Sequence, residues 1–246
     1  MSHAVAAAQD GFGRIGPNAI TRVAEALRAI EDAGAAQRVF GRAGLQLYLS
    51  NAPTDMVDEV HVTRLHIALR EDLGAARARE VGWLAGQHTA DYLLAHRIPR
   101  LAQRVLRCLP APIASRLLAK AIARNAWTFA GTGTFSAQHG RPTLFSITDC
   151  PICRGQSATA PYCDFYAATF ERLYVRLVHP HARVVEIACQ AMGAPACTFA
   201  ITWHAASGGV RLAGTAGALA GARPVDPERA AAGVLGGVER GIGHRK

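Results

Sequence analysis

The chain has 246 residues, half of them apolar, and a formal net charge of +9. That length suffices for one sizeable core, and no apolar run approaches what a membrane span needs. The basic charge is almost all arginine and scattered along the chain, which favours acidic partners such as anionic lipid or carboxylate ligands; no basic–aromatic stripe points to nucleic acid.

The first residues, MSHAVAAAQDGFG, lack a basic segment followed by an apolar stretch, so no secretory signal is expected. A cytoplasmic location is expected instead, with room for peripheral contact at a membrane face. Six cysteines at uneven spacing suggest a reducing compartment, with metal-bound or buried thiols in place of a disulfide framework. Residues 1–10 are expected as a flexible tail. Gly11 to Gly16 then spell GxGxxG, but no convincing strand precedes them, so the motif reads as a flexible approach to a helix with Pro17 in its first turn.

Apolar spacing predicts a helix over 17–33, with Ile20, Val23, Ala24, Leu27 and Ile30 on one face. A short helix and a turn are expected in 36–49, then helices over 55–73 and 75–96, the second closed by Pro99. Helices over 100–109 and 112–125 follow, parted by Pro110 and Pro112 and basic on one side. Trp127–Ser136 and Thr143–Thr148 alternate like the strands of a hairpin. Asp149–Gly155 reads as a loop, 164–178 as a helix, and Arg183–Ala188 with Cys197–Trp203 as a second hairpin. The order gives an α+β fold, N-terminal helices packed with an antiparallel sheet. Residues 11–203 are expected as one ligand-binding domain, and 204–246, rich in Gly and Ala, as a disordered tail.

Cys163, Glu186, Cys189 and Cys197 fall at the ends of adjacent elements, where one ion can be shared. Three thiolates and a carboxylate suit a closed zinc shell. On a regular strand, however, Glu186 and Cys189 would face opposite ways, so shared ligation needs the strand to bend or end between them. Buried thiols without metal are the other reading, and the residues alone leave both open. Cys150-x-x-Cys153 lacks the strand–CxxC–helix context of a thioredoxin. It reads as a loop with incidental thiols, able to supply a replacement ligand if Glu186 points away.

His88 and His96 lie on a helix with Trp83 and Tyr92. A histidine can serve as an axial metal ligand, and Trp127, Phe129 and Phe135 can form an opposite aromatic wall for a flat ring. Taken singly, each reads as a core or solvated residue, and only joint placement around one pocket reverses that. Arg141 and the 100–107 helix can meet a carboxyl group. Asp164 and Glu171, on one helix face, are a possible but unmotivated acid–base pair.

The helix opened by Cys163, then Val185-Glu186-x-x-Cys189, then Gly193-x-x-x-Cys197-x-Phe199, resembles the four-vinyl-reductase domain. That small-molecule-binding domain is shared by bacteriochlorophyll biosynthesis proteins and the sensor domains of phenol-responsive activators. The flanks GRIGPNAITRVAEAL at 13–27 and CRG…CDFYAATFERL at 153–173 resemble the bacteriochlorophyll 4-vinyl (8-vinyl) reductase J protein family. The resemblance covers about 11–203, with the core of the four-vinyl-reductase domain at about 125–203. It implies a fold related to haem-based gas sensors and vesicle-tethering subunits, and a structural zinc on Cys163, Glu186, Cys189 and Cys197. It further implies an 8-vinyl Mg-tetrapyrrole as ligand or substrate, nominally reduced from divinyl (proto)chlorophyllide to the monovinyl form by an unknown reductant. A non-catalytic pigment carrier serving pathway enzymes, and a ligand-sensing homodimeric interaction module, are the alternatives.

Overall fold

The computed structural model describes residues 13–203. The expected tails at 1–10 and 204–246, and Gly11 of the glycine motif, lie outside the described residues. Strand β1 (Arg14–Ile15) runs inside that motif and pairs antiparallel with β2 (Val57–Asp58). Between them come helices α1 (Asn18–Ile30), α2 (Ala35–Arg42) and α3 (Leu47–Ser50). Helix α1 buries Ile20, Val23, Ala24 and Leu27, the face its spacing predicts, with Pro17 at its N-cap.

Helix α4 (Glu59–His96) starts where the Asp58 side chain accepts a hydrogen bond from the Val60 N–H at 2.8 Å. The helices expected over 55–73 and 75–96 are its two arms, joined across Gly74 at φ 76°. Helices α5 (Arg100–Cys108) and α6 (Ala111–Arg124) follow, each with a proline at its N-cap. One expected strand is corrected. Trp127–Ala130 form a short helical turn, α7, and the strand β3 begins only at Thr134 and ends at Gln138. The alternating pattern is overridden because Gly131 reverses the chain at φ 59° and the Glu59 carboxylate captures the next residue. That carboxylate accepts from the Thr132 N–H at 2.8 Å and hydroxyl at 2.7 Å.

The sheet continues with β4 (Thr143–Thr148), β5 (Arg183–Ala188) and β6 (Cys197–Thr202), in the order β3-β4-β6-β5, all antiparallel. Its inner face carries Phe145, Ile147, Val184, Phe199 and Ile201, all buried. Helix α8 (Asp164–Leu177) lies between this face and α4 and is buried along most of its length. Close approach of α8 to α4 depends on Gly86. A Cβ there would lie 2.3 Å from the Phe165 carbonyl oxygen. Across that contact Arg172 holds Asp91 through two hydrogen bonds of 2.9 and 3.0 Å. Edge-to-face aromatic contacts link Phe129, Phe135, Phe145, Phe170 and Phe199 beneath the sheet.

His66 sits in this core, edge-on to Phe165 and 1% exposed. Its Nε2 has no hydrogen-bond partner among the described residues. Burial, aided by the Arg70 charge, holds the imidazole down to about 3. The unfolded chain therefore binds a proton that the folded one does not as pH falls from about 6.5 to 3. Stability is expected to fall with acidification across that window, by up to about 1.4 kcal/mol per pH unit from this group. Denaturant unfolding of the parent and of His66→Leu at several pH values checks it. Equal slopes in the two proteins would remove His66 as a cause.

Candidate metal centre

Five buried cysteines converge where a loop, a helix start and two strand ends meet. Cys150 and Cys153 come from the loop after β4. That loop is pinned by the Cys150 N–H donating to Gln190 Oε1 at 2.7 Å and the Thr63 hydroxyl donating to the Pro151 carbonyl at 2.6 Å. Cys163 is the N-cap residue of α8, Cys189 follows β5, and Cys197 opens β6. A β-bulge between Glu186 and Ala188 inserts one extra residue opposite β6. The bulge changes the in–out parity, so Glu186 and Cys189 are both buried while Ile187 between them is exposed. This is the bend that shared ligation requires.

The Sγ–Sγ distances are 3.6 Å for Cys150–Cys163 and Cys163–Cys197, 3.3 Å for Cys153–Cys197 and 3.9 Å for Cys189–Cys197. None approaches the ~2 Å of a disulfide. A zinc ion with sulfur at about 2.3 Å in tetrahedral array spaces its ligands about 3.8 Å apart, close to these values. Two four-donor groups have all ligand atoms within 4.8 Å of one another: Cys163, Glu186, Cys189, Cys197, and Cys150, Cys153, Cys163, Cys197. The structure thus brings together all four residues expected as ligands. It also corrects the reading of Cys150 and Cys153 as incidental, since both are buried against the other thiols. Their C-x-x-C spacing was the available signal; what spacing could not show was the fold of the loop back onto Gln190 and α4.

Glu186 is 7% exposed. Its Oε2 accepts from the Cys163 N–H at 2.8 Å, while Oε1 has no hydrogen-bond partner among the described residues. Burial, against that backbone hydrogen bond, pushes the carboxyl up to about 8. A buried carboxylate oxygen without a donor is costly, and a cation supplies what it lacks. Burial likewise pushes the Cys163 thiol up. The donor set therefore fits zinc on its chemistry: soft sulfurs at tetrahedral spacing and one orphaned carboxylate oxygen, all buried.

The residues expected to face a pigment are not gathered in the same way. His88 and His96 lie on the second arm of α4, with the His88 Nδ1 at 3.7 Å from Glu25 Oε2 and the His96 ring against Tyr92 at 4.8 Å between centroids. Trp127 stands apart on α7, 61% exposed. Phe129 and Phe135 pack into the aromatic core. Asp164 and Glu171 are spent on structure. Burial pushes the Asp164 carboxyl up against the pull of Arg79 and Arg70, and Glu171 accepts from the Val184 N–H at 2.9 Å. A cleft of about 520 Å³ lies beside the Gly74 kink, lined by Arg70, Arg79, Tyr162 and Asp164; a smaller one of about 250 Å³ is lined by His139, Arg141 and Trp203. Neither is lined by His88, His96 or Trp127.

Residues 143–202, from β4 to β6, match the four-vinyl-reductase domain family. The chain is 47% identical over 186 residues to the bacteriochlorophyll synthase 23 kDa chain of Cereibacter sphaeroides, covering 76% of this chain and 89% of that one. It is 41% identical over 203 residues to the protein of the same name from Rhodobacter capsulatus, covering 82% and 92%. In fold it is similar to an Fe(II) unliganded H-NOX protein variant from K. algicida, with a TM-score of 0.52 at 10% identity, covering 78% of this chain and 98% of that one.

Proposed function

The chain belongs to the family of the bacteriochlorophyll synthase 23 kDa chains, built on the four-vinyl-reductase domain, and we propose on that premise that it serves bacteriochlorophyll biosynthesis by binding an 8-vinyl Mg-tetrapyrrole. The observation that carries the reading is the likeness, over 89% and 92% of their lengths, to two proteins bearing that name. His88, His96 and Trp127 are the proposed pigment contacts. None of the three is fully buried, and Trp127 is 61% exposed. Reduction of the 8-vinyl group is the activity proposed beyond binding, and it requires an electron donor. A carrier that presents the pigment to pathway enzymes rests on the same contacts.

Zinc is proposed as the structural ion, held by Cys163, Glu186, Cys189 and Cys197, with Cys150 and Cys153 as the rival pair. When bound it supplies a cross-link between the loop, α8, β5 and β6, and a closed four-ligand shell leaves no coordination position for substrate.

The test mixes the purified full chain with divinyl chlorophyllide, with and without reduced nicotinamide, and follows the pigment by absorption and chromatography. Conversion to the monovinyl form establishes the reductase. A shifted spectrum without conversion establishes the carrier. Neither binding nor conversion rejects both. A pigment affinity unchanged in the His88→Ala, Trp127→Ala double variant would sink the proposed contacts.

A further inference from the structure

From Tyr92 to Thr148 the chain contains no aspartate or glutamate, although the whole chain carries 18. Within that stretch Arg100, Arg104 and Arg107 project from α5, and Arg116, Lys120 and Arg124 from α6, all exposed. None of the six forms an ion pair among the described residues, whereas Arg22, Arg38, Arg70, Arg77, Arg154 and Arg172 elsewhere each hold a carboxylate. The α5–α6 hairpin is therefore a face of exposed positive charge with no carboxylate on it.

The same hairpin also exposes large apolar side chains. Leu101 and Val105 lie one turn apart on α5, and Ile113 and Leu117 one turn apart on α6, between 45% and 71% exposed. Trp127 stands exposed just beyond α6. On α6 the outward stripe Ile113, Arg116, Leu117, Lys120, Arg124 follows helical spacing, apolar at its start and basic towards its end. Leu106, Ala114 and Leu118 face the core and fix which sides of the two helices point out. Exposed leucine, isoleucine and tryptophan interleaved with arginine and lysine are the composition of a helix that lies in a lipid interface, with the apolar groups among acyl chains and the cations at the headgroups. A nucleic acid would satisfy the cations and leave the aliphatic side chains in water. No helix of the described residues is long and apolar enough to cross a membrane, so such contact would be on one face.

We infer that the α5–α6 hairpin docks the protein onto an anionic lipid surface, Leu101, Val105, Ile113, Leu117 and Trp127 entering the interface and the surrounding arginines and Lys120 meeting the headgroups. Of these side chains Trp127 alone is also a proposed pigment contact; the inference rests on Leu101, Val105, Ile113, Leu117 and the basic residues, and holds whether or not a pigment binds. Each basic residue near an anionic surface is worth about fivefold in partitioning, so reversing two charges is expected to cost about 25-fold or more.

Cosedimentation of the full chain with phosphatidylcholine vesicles, with and without phosphatidylglycerol, tests it. Cys108, the one exposed thiol among the described cysteines, carries an environment-sensitive fluorophore as a second readout. Binding is expected only with phosphatidylglycerol, weakened by salt, with a blue shift of the label. It is expected to fall about 25-fold or more in Arg104→Glu, Lys120→Glu and to weaken in Leu101→Ser, Leu117→Ser. All four sites are exposed, and circular dichroism checks that the variants remain folded. No binding to anionic vesicles, or equal binding by the folded charge-reversal variant, overturns the inference. So does concentration-dependent dimerisation lost in Leu101→Ser, Leu117→Ser without vesicle binding, which assigns the face to a second copy. Binding of a DNA duplex in place of vesicles also overturns it.

Discussion

Cys197→Ser is expected to lose the bound zinc and to lower Tm by on the order of 10 °C, corresponding to a few kcal/mol in a domain of this size. Cys197, like Cys163, belongs to both four-donor groups, so no rearrangement between them spares it. Its Sγ lies within 3.9 Å of Cys153, Cys163 and Cys189. The parent, purified without chelator, should carry about one zinc per chain by elemental analysis. Metal binding energy is folding energy where ligands from separate elements are gathered only in the native state, as here from a loop, a helix start and two strand ends. Chelation of the parent should therefore reproduce the Tm of the variant. The rival shells separate in single-set substitutions. Zinc kept in Cys153→Ser but lost in Cys189→Ser and Glu186→Gln assigns the ion to the carboxylate shell, and the reverse assigns it to four thiolates. A parent without zinc, or a Cys197→Ser variant that retains it, removes the site.

The second large effect lies at Glu59, where loss of the carboxylate should cost about 1–3 kcal/mol. Glu59 is 3% exposed at the start of α4. One carboxylate oxygen takes the Arg154 guanidinium at 2.6 Å and the Thr132 hydroxyl at 2.7 Å, and the other takes the Thr132 N–H. Glu59→Leu would leave the Thr132 N–H and hydroxyl without their acceptor and the Arg154 guanidinium with Asp149 as its remaining carboxylate among the described residues, loosening the loop that carries Cys150 and Cys153. Burial acts to raise this carboxyl, but hydrogen bonds from Arg154 and Thr132 outweigh it and hold the group below its ordinary value. The folded state thus prefers the ionised form. Its contribution is fully present above the unfolded carboxyl range, near about 4.3, and is lost as pH falls through the lower folded value. Denaturant unfolding of Glu59→Leu, Arg154→Met and the double variant measures the coupling. The double variant is expected to lose less than the sum of the two single losses, since each single variant already breaks the Glu59–Arg154 pair. Strictly additive losses would mean that the pair does not act as a unit. The site also forbids a side chain at Gly131, where a Cβ would meet Glu59 Oε2 at 1.8 Å on a backbone already at φ 59°.

Local pattern in the sequence determined most of the elements. Helices α1, α5, α6 and α8 and strands β4, β5 and β6 fall where the spacing predicts them, because one buried face imposes its period on the residues that form it. That Cys163, Glu186, Cys189 and Cys197 come together was legible too, as was the need for a bend between Glu186 and Cys189. Three things were decided only by the tertiary structure. The bulge that aims Glu186 and Cys189 to the same side arises from pairing with β6, and no residue type in β5 announces it. The burial of Cys150 and Cys153 depends on Gln190 and Thr63, distant residues that hold the loop in place. The helical turn at Trp127–Ala130 replaces a well-patterned strand because Glu59, far earlier in the chain, claims the N–H that a strand would have used. Periodicity reports which side of an element is buried. Which distant groups then meet across the core depends on hydrogen bonds and contacts between residues that sequence spacing does not relate.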